Sequence, residues 1–179
     1  MARLLTRLTR KARWFWPLAL ALFVADCAAK RAAETHLIVG APQEVAGDVL
    51  RLTLSYNRAA AMGIGIGSNA RAVLAALSGV ILLVLAVVYR ATAPHDRWRA
   101  AGVALVVGGA LGNLVDRLRS PAGVVDFIDL GIGHARFWTF NLADIGITIG
   151  AVILLIVFGR WVPLPALRQP PRTALPTGD

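Results

Sequence analysis

The sequence has 179 residues, about one domain's worth, but 57% of them are apolar and only 16% are charged. This balance is unusual for a water-soluble globule and indicates a membrane protein. The net charge of +9 does not indicate a nucleic-acid partner, because the basic residues lie in short segments beside hydrophobic stretches and not on one polar face.

Four apolar stretches are long enough, or nearly so, to cross a hydrocarbon layer that needs roughly 17–25 helical residues. They are residues 14–29, 72–89, 99–115 and 143–162. Together they predict an all-α membrane domain over residues 1–162. Asp26 and Asn113 lie near the ends of the first and third stretches, so these polar groups must face protein or the membrane interface.

Basic residues predict the orientation of the four spans. Five precede the first span and three fill the short connection between the second and third, and such segments stay in the cytoplasm. Both termini are therefore predicted to be cytoplasmic, with residues 30–71 and 116–142 outside. Residues 163–179 are rich in proline and are predicted to form a disordered cytoplasmic tail.

A cleaved export signal is the competing interpretation of residues 1–29. A basic start, an apolar run and Cys27 imitate such a signal. Asp26 fits poorly at the position where a small residue precedes the cysteine, and the later spans make a retained anchor sufficient. We therefore expect the first span to be retained.

The segment after the first span contains a candidate strand. Apolar and polar side chains alternate over residues 49–56, the two-residue period of a half-buried strand. Such a strand fits either a shelf for an extended peptide or a small sheet that merely packs on the helices. Further on, Gly63, Gly65 and Gly67 lack the strand, helix and lysine context of a phosphate loop, and predict only flexible backbone.

Four of the ten acidic residues cluster at the predicted outer ends of the third and fourth spans: Asp116, Asp126, Asp129 and Asp144. If these spans run outward and back, Asp116 and Asp144 share a membrane face, and the intervening loop can fold Asp126 against the bundle. Two carboxylates that approach closely cannot both stay ionised, so one keeps a proton while the other activates water. Peptide hydrolysis needs that division of labour.

Structural alternatives exist for the same acids. Asn141 and Asp144 resemble a helix N-cap and an acid in the first helical turn. Asp116 is adjacent to Arg117 and fits an interfacial ion pair, while Asp126 and Asp129 also fit ordinary loop carboxylates.

In the first span, Asp26 and Lys30 are spaced as a helical ion pair that gives structural support.

Metal and serine chemistry have weak support in the sequence. His36, His95 and His134 are too scattered for a metal cluster, and the single Cys27 forms neither an internal disulfide nor a zinc motif. The serines lack a nucleophile-elbow context. We expect no metal and no cofactor.

Three short motifs carry a family resemblance. Residues 112–117 read GNLVDR, residues 124–129 read VVDFID, and residues 140–144 read FNLAD. In this order they resemble the GNxxDR, VVDF and FNxAD motifs of the bacterial lipoprotein signal peptidases, or signal peptidase II. The resemblance extends over most of the chain, and three motifs in order are far more specific than one.

The resemblance implies a metal-independent intramembrane aspartyl endopeptidase of the bacterial inner membrane. It would remove the signal peptide from diacylglyceryl-modified prolipoproteins, cleaving before the lipidated cysteine near the outer face. The implied fold has four transmembrane helices with a small extracytoplasmic β-sheet and loop region. Membrane lipids and cyclic peptide inhibitors of the globomycin type are the other implied partners.

Functional residues follow from the same resemblance by position. Asp126 and Asp144 match the catalytic pair. The residues that match substrate-binding or supporting positions are Asp26, Lys30, Asn57, Asn113, Asp116, Arg117 and Asn141.

Four positions depart from the usual family pattern. Cys27 and Ala29 stand where the family has Gln and Thr, and the NxGAAF run appears here with Ala59 and Met62. These changes bear on how substrate or inhibitor is held, whereas both aspartates are retained.

Two other functions compete with this reading. A small proton-coupled transporter would need an essential acid near the bilayer midplane. A non-enzymatic scaffold would tolerate neutralisation of both Asp126 and Asp144.

Overall fold

The computed structural model describes residues 2–58 and 69–159, with side chains from Arg10 onward. Its elements in chain order are α1 (Ala2–His36), β1 (Gln43–Ala46), β2 (Leu50–Asn57), α2 (Ala70–Ala91), α3 (Arg97–Arg119), β3 (Val124–Ile132), β4 (Ala135–Arg136) and α4 (Leu142–Gly159). The predicted disordered tail, the predicted flexible glycines and the departures at Ala59 and Met62 lie outside the described residues.

All four predicted spans are helices long and apolar enough to cross a membrane. Their outward faces expose large apolar side chains such as Leu20, Leu83 and Leu155. In a bilayer these side chains contact lipid, and the helical backbone satisfies its own hydrogen bonds. The chain is therefore a multi-pass membrane protein.

Helix α3 lies at the centre of the bundle and packs against the other three helices. Small residues bring the backbones together. Gly108 lies against the backbone of Ala19 in α1, and Gly109 lies against the backbone of Ala143 in α4. A methyl group at either glycine would collide with these atoms, so these two glycines allow the helices to approach closely.

Helix α3 also continues beyond its predicted end to Arg119. Asp116 therefore lies inside a helix and is buried, whereas the sequence pattern placed it at the start of an outer connection. Polar residues end a hydropathy pattern before they end a helix when their side chains find partners inside the protein.

The four strands form one antiparallel sheet in the order β1-β2-β3-β4. Strand β2 coincides, within one residue at each end, with the predicted strand. Strand β3 corrects the loop interpretation of Asp126 and Asp129, because both lie on it. Its first residues, Val124 and Val125, are buried, and such a continuous apolar run carries no two-residue period.

One face of the sheet packs against the C-terminal end of α1. Leu54 and Val125 join Ala33 and Phe127 in a buried apolar cluster. Register places Ser55 opposite Asp126 and Asn57 opposite Val124. The sheet thereby brings Asp126 beside the N-terminal end of α4.

Asp129 has a structural role at the far end of β3. Its carboxylate accepts hydrogen bonds from Arg136 Nε at 2.7 Å and from Thr53 Oγ1 at 3.0 Å. Arg136 also contacts Asp48, which in turn pairs with Arg51. A hydrogen bond from the Gly133 N–H, together with these two arginines, lowers the pKa of Asp48. This cluster joins the turns of the two hairpins.

Candidate active site

The N-terminus of α4 fixes the position of Asp144. The Asp144 N–H donates to Asn141 Oδ1 at 3.0 Å, and the Asn141 N–H donates to Asp144 Oδ2 at 3.2 Å. This reciprocal pair is a capping box. The predicted cap is therefore confirmed, and it leaves the second carboxylate oxygen of Asp144 available for a different donor.

Asp126 lies on β3 and is almost fully buried, with 2% of its surface exposed. Its Oδ1 accepts a hydrogen bond from Asn141 Nδ2 at 2.7 Å, and the Asn57 side chain also donates to this carboxylate. Burial, and secondly the charge of Asp144, raise the pKa of Asp126 from 3.8 to about 7. The asparagine hydrogen bonds and the charge of Lys30 act in the opposite direction.

Two asparagine side chains join the two acids. Asn113 Nδ2 donates to Asp144 Oδ1 at 2.9 Å, while Asn141 Nδ2 donates to Asp126. Asn141 Nδ2 also lies 3.2 Å from Asn113 Oδ1. Residues from β3, α3 and the start of α4 thus form one polar group around the paired carboxylates.

A buried ionic cluster lies behind Asn113. Lys30 Nζ is 2.8 Å from Asp26 Oδ2, 2.9 Å from Asp116 Oδ2 and 2.8 Å from Asn113 Oδ1. The Asp26–Lys30 ion pair predicted from sequence spacing is confirmed. Asp26 also accepts from the Ala143 N–H, and Asp116 accepts from the Val125 N–H, so the cluster holds the backbones of α4 and β3.

The predicted ion pair between Asp116 and Arg117 is wrong. Asp116 pairs with Lys30 and with Arg119, at 2.9 and 3.1 Å. Arg117 Nη1 donates to the Asn113 carbonyl at 3.2 Å. Consecutive helical residues point about 100° apart. Asp116 therefore faces Lys30 in α1, while Arg117 points toward the side where Asp126 and Asp144 lie.

A cavity of about 680 Å³ lies in front of the paired acids. Its lining includes Asp126 and Asp144 together with Asn57, Asn113 and Arg117. Four other residues of the predicted site do not line the cavity: Asp26, Lys30, Asp116 and Asn141 are buried behind it. Among the residues described, no three His, Cys, Asp or Glu side chains converge as a metal site.

The cavity also has an aromatic wall that the sequence reasoning missed. Phe137, Trp138 and Phe140 line it, and Phe137 and Trp138 are about 60% and 56% exposed. Their ring centroids are 5.3 Å apart in an edge-to-face arrangement. Aromatic residues next to a span are typical of the membrane interface, and that signal in the sequence was the available clue.

Comparison with known proteins identifies the family. The model of the family described as signal peptidase (SPase) II matches residues 18–159, which is most of the chain. The chain belongs to the signal peptidase II family. Membership in this peptidase family favours hydrolysis over the transporter and scaffold alternatives.

Curated relatives of the family are similar over most of their length. The lipoprotein signal peptidase of Coxiella burnetii (strain Dugway 5J108-111) is 36% identical over 155 residues, covering 84% of this chain and 93% of that protein. The lipoprotein signal peptidase of Hydrogenovibrio crunogenus is 41% identical over 143 residues, covering 78% and 81%.

Two solved structures share the fold. Both are of a bacterial membrane enzyme studied by the in meso method, at 2.3 Å and 1.9 Å resolution. They superpose with TM-scores of 0.72 and 0.70 at 30% and 31% sequence identity. They cover 80% and 79% of this chain, which spans 85% and 89% of theirs. The arrangement of four helices and a small sheet is therefore common to signal peptidase II and these enzymes.

Proposed function

We propose that the protein is an aspartyl endopeptidase that removes signal peptides from lipid-modified prolipoproteins, with Asp126 and Asp144 as its catalytic pair. One observation carries the proposal: carboxylates from β3 and α4 line one cavity and are joined through two asparagines. The relatives support it, since they are lipoprotein signal peptidases.

The pair performs hydrolysis by sharing one proton. The ionised carboxylate takes a proton from water while the water oxygen attacks the scissile carbonyl carbon, and the protonated carboxyl group donates to the carbonyl oxygen. The group that took the proton from water then donates it to the leaving nitrogen as the C–N bond breaks. The other group recovers a proton from the diol, which restores the starting protonation of the pair.

Substrate approaches the pair from within the bilayer. Ile147 and Thr148 continue the cavity lining along α4 beyond Asp144, so the cavity extends from the acids toward the hydrocarbon layer. A diacylglyceryl-modified precursor enters sideways, keeps its lipid chains between helices and gains binding energy from apolar contact. Cleavage falls before the lipidated cysteine. Membrane lipids contact the same surface, and cyclic peptides of the globomycin type compete for the cavity.

The proposed location is the bacterial inner membrane, with both termini cytoplasmic and the cavity near the outer face. Arg90 and Arg97 flank the α2–α3 connection, and basic residues beside spans favour the cytoplasmic side, which supports this orientation. The carboxylate pair lies at the other end of the bundle, where α3 ends and α4 begins.

Processing of a lipidated precursor by purified protein tests the proposal. Asp126→Asn and Asp144→Asn should each reduce cleavage by at least about 10³-fold while the protein still inserts and folds, because each removes one partner of the proton exchange. Asp129→Asn is the matched control, since Asp129 is on the same strand outside the cavity, and it should retain activity. Full cleavage by either variant of the pair would reject the assignment.

Two further arms of that assay test the substrate and the mechanism. A precursor without its lipid should be cleaved much more slowly than the lipidated one. A chelator should leave the rate unchanged, because water is activated by a carboxylate. A rate abolished by the chelator and restored by a divalent metal would contradict metal-independent chemistry.

A further inference from the structure

Lys30 is a buried lysine that does not touch the cavity. Only 1% of its surface is exposed, and its ammonium lies within 2.9 Å of three acceptors, on Asp26, Asp116 and Asn113. An ammonium group has three hydrogens and no acceptor. It donates one hydrogen to Asn113 and forms ion pairs with the two carboxylates.

The contact with Lys30 decides how the Asn113 amide is turned. Asn113 Oδ1 is 2.8 Å from the ammonium, and Nδ2 is 2.9 Å from Asp144 Oδ1. The reversed amide would place its NH₂ against an ammonium and its oxygen against a carboxylate, which is repulsive at both ends. The ammonium also polarises the amide, which strengthens the hydrogen bond that it donates to Asp144.

The two acids consequently have different surroundings. Asp144 accepts the polarised Asn113 amide and the backbone N–H of Asn141, and it lies in the first turn of α4. The positive end of the helix dipole favours an ionised carboxylate there. Asp126 lies on a strand, away from a helix end and more deeply buried, where desolvation favours the neutral acid.

Charged groups face this region from three sides. Asp126 on β3 lines the same cavity as Asp144, and so does Arg117 on α3. The cluster of Lys30, Asp26 and Asp116 lies on the other side of Asn113. Arg119 pairs with Asp116 and also with Glu34, so two cations and three carboxylates give the cluster no net positive charge. The cluster therefore acts on Asp144 through the direction of the Asn113 hydrogen bond and not through its total charge.

We propose that Lys30 is a positioning residue that, through Asn113, keeps Asp144 as the ionised acid and leaves the shared proton on Asp126. The assignment rests on the proposed function. Asp144 then takes the proton from water as the C–O bond forms, and Asp126 protonates the carbonyl oxygen. In the second half Asp144 gives its proton to the leaving nitrogen as the C–N bond breaks, and Asp126 recovers a proton from the diol.

The test is the pH profile of kcat/KM for cleavage of a lipidated precursor. The main variant is the double substitution Asp26→Asn and Lys30→Met, which removes one negative and one positive charge and leaves Asp116 paired with Arg119. Without Lys30 the Asn113 amide is free to turn, so the acidic limb of the profile should move to higher pH by about one unit. The rate at pH 6 should fall more than the rate at pH 8.

A second variant keeps Lys30 and its partners. Asn113→Asp preserves the shape of the side chain and an oxygen for the ammonium, but it replaces the donor to Asp144 with a carboxylate. The acidic limb should move in the same direction. This variant tests the proposal even if the double variant fails to fold.

Lys11→Met is the control, because Lys11 is also buried in α1 but lies at the opposite end. Its thermal stability should fall while its pH profile superimposes on that of the unsubstituted protein. If Asn113→Asp and the folded double variant lose activity equally at all pH values, Lys30 has only a structural role and the proposal is wrong. Failure of the proposed function looks different, because the unsubstituted protein would then not cleave the precursor.

Discussion

At the scale of single residues, the site shows a conflict between chemistry and stability. Asp126 is buried next to a second acid, and these two effects raise its pKa to about 7. A carboxyl group with this pKa holds a proton at the pH where peptide hydrolysis needs an acid. The same burial destabilises the folded protein whenever Asp126 is ionised, as is common for groups retained for function.

Asp126→Asn should therefore be inactive but more stable than the unsubstituted protein at pH 8. Because the folded state holds the proton more tightly, the contribution of Asp126 is fully present below a pH of about 3.8 and is lost as the pH rises to about 7. A neutral amide avoids this loss, which is on the order of 4 kcal/mol.

Thermal unfolding in detergent at pH 5 and pH 8 checks the prediction. The gain from Asp126→Asn should be clear at pH 8 and small at pH 5, with Asp129→Asn as the comparison on the same strand. A variant less stable than the unsubstituted protein at pH 8 would show that burial of the Asp126 charge is not a source of instability.

At the scale of elements, the N-terminal part of α1 is joined to the C-terminal end of α2. Lys11 Nζ donates to the carbonyl oxygens of Tyr89 at 2.6 Å, Thr92 at 2.8 Å and Arg90 at 3.2 Å, and lies 4.6 Å from the centre of the Tyr89 ring. The last carbonyl groups of a helix have no partner within the helix. The Lys11 ammonium group donates to two carbonyl groups of this last turn, on Tyr89 and Arg90, and to that of the C-cap residue Thr92.

Lys11→Met should destabilise the protein by about 1.5–3 kcal/mol, because it leaves these carbonyl groups without a charged donor. Arg13→Met is the matched control, since Arg13 carries the same charge on the same helix but is exposed, and its effect should be under about 0.5 kcal/mol. Thermal unfolding of the three proteins measures the difference. Equal effects of the two substitutions would show that only the positive charge of this segment matters.

Strand β3 is the element that the sequence pattern represents least well. The strand begins with two valines followed by Asp and Phe, and this short pattern is also compatible with a loop when no partner strand is known. In the fold, pairing with β2 and packing of Val125 and Phe127 against α1 define the strand. Pairing between segments that are far apart in sequence is decided by the tertiary fold and not by local propensity.

At the scale of the whole molecule, the site exists because helices and sheet meet at one end of the bundle. The carboxylate pair lies where the C-terminal half of α3, the start of α4 and the strand β3 converge. In the proposed orientation two connections lie on opposite membrane faces: the α2–α3 connection with His95 and the β3–β4 turn with His134.

Single cysteines at these two histidines test the orientation. In a Cys27→Ser background, an impermeant thiol reagent added to intact spheroplasts should label His134→Cys and should label His95→Cys only after permeabilisation. Both side chains are exposed, so accessibility within the protein does not explain a difference. The reverse pattern would place the carboxylate pair on the cytoplasmic face and contradict the proposed location.

The sequence by itself determined the parts of the protein that follow from local patterns. Hydropathy gave four spans because a helix in a bilayer must be apolar along its length. The alternation near Leu54 predicted β2, and the spacing of Asp26 and Lys30 predicted their ion pair. The three family motifs predicted which residues surround the site.

Only the tertiary structure decided how these residues are connected. It separated Asp129, which joins two hairpins, from Asp126, and it paired Asp116 with Lys30 and Arg119 and not with Arg117. It also placed Phe137 and Trp138 at the cavity. Hydrogen bonds and burial at the site join segments 80 or more residues apart in several cases, as Lys30 and Asn113 show. Such contacts depend on the direction of each side chain in the assembled bundle, which no local pattern encodes.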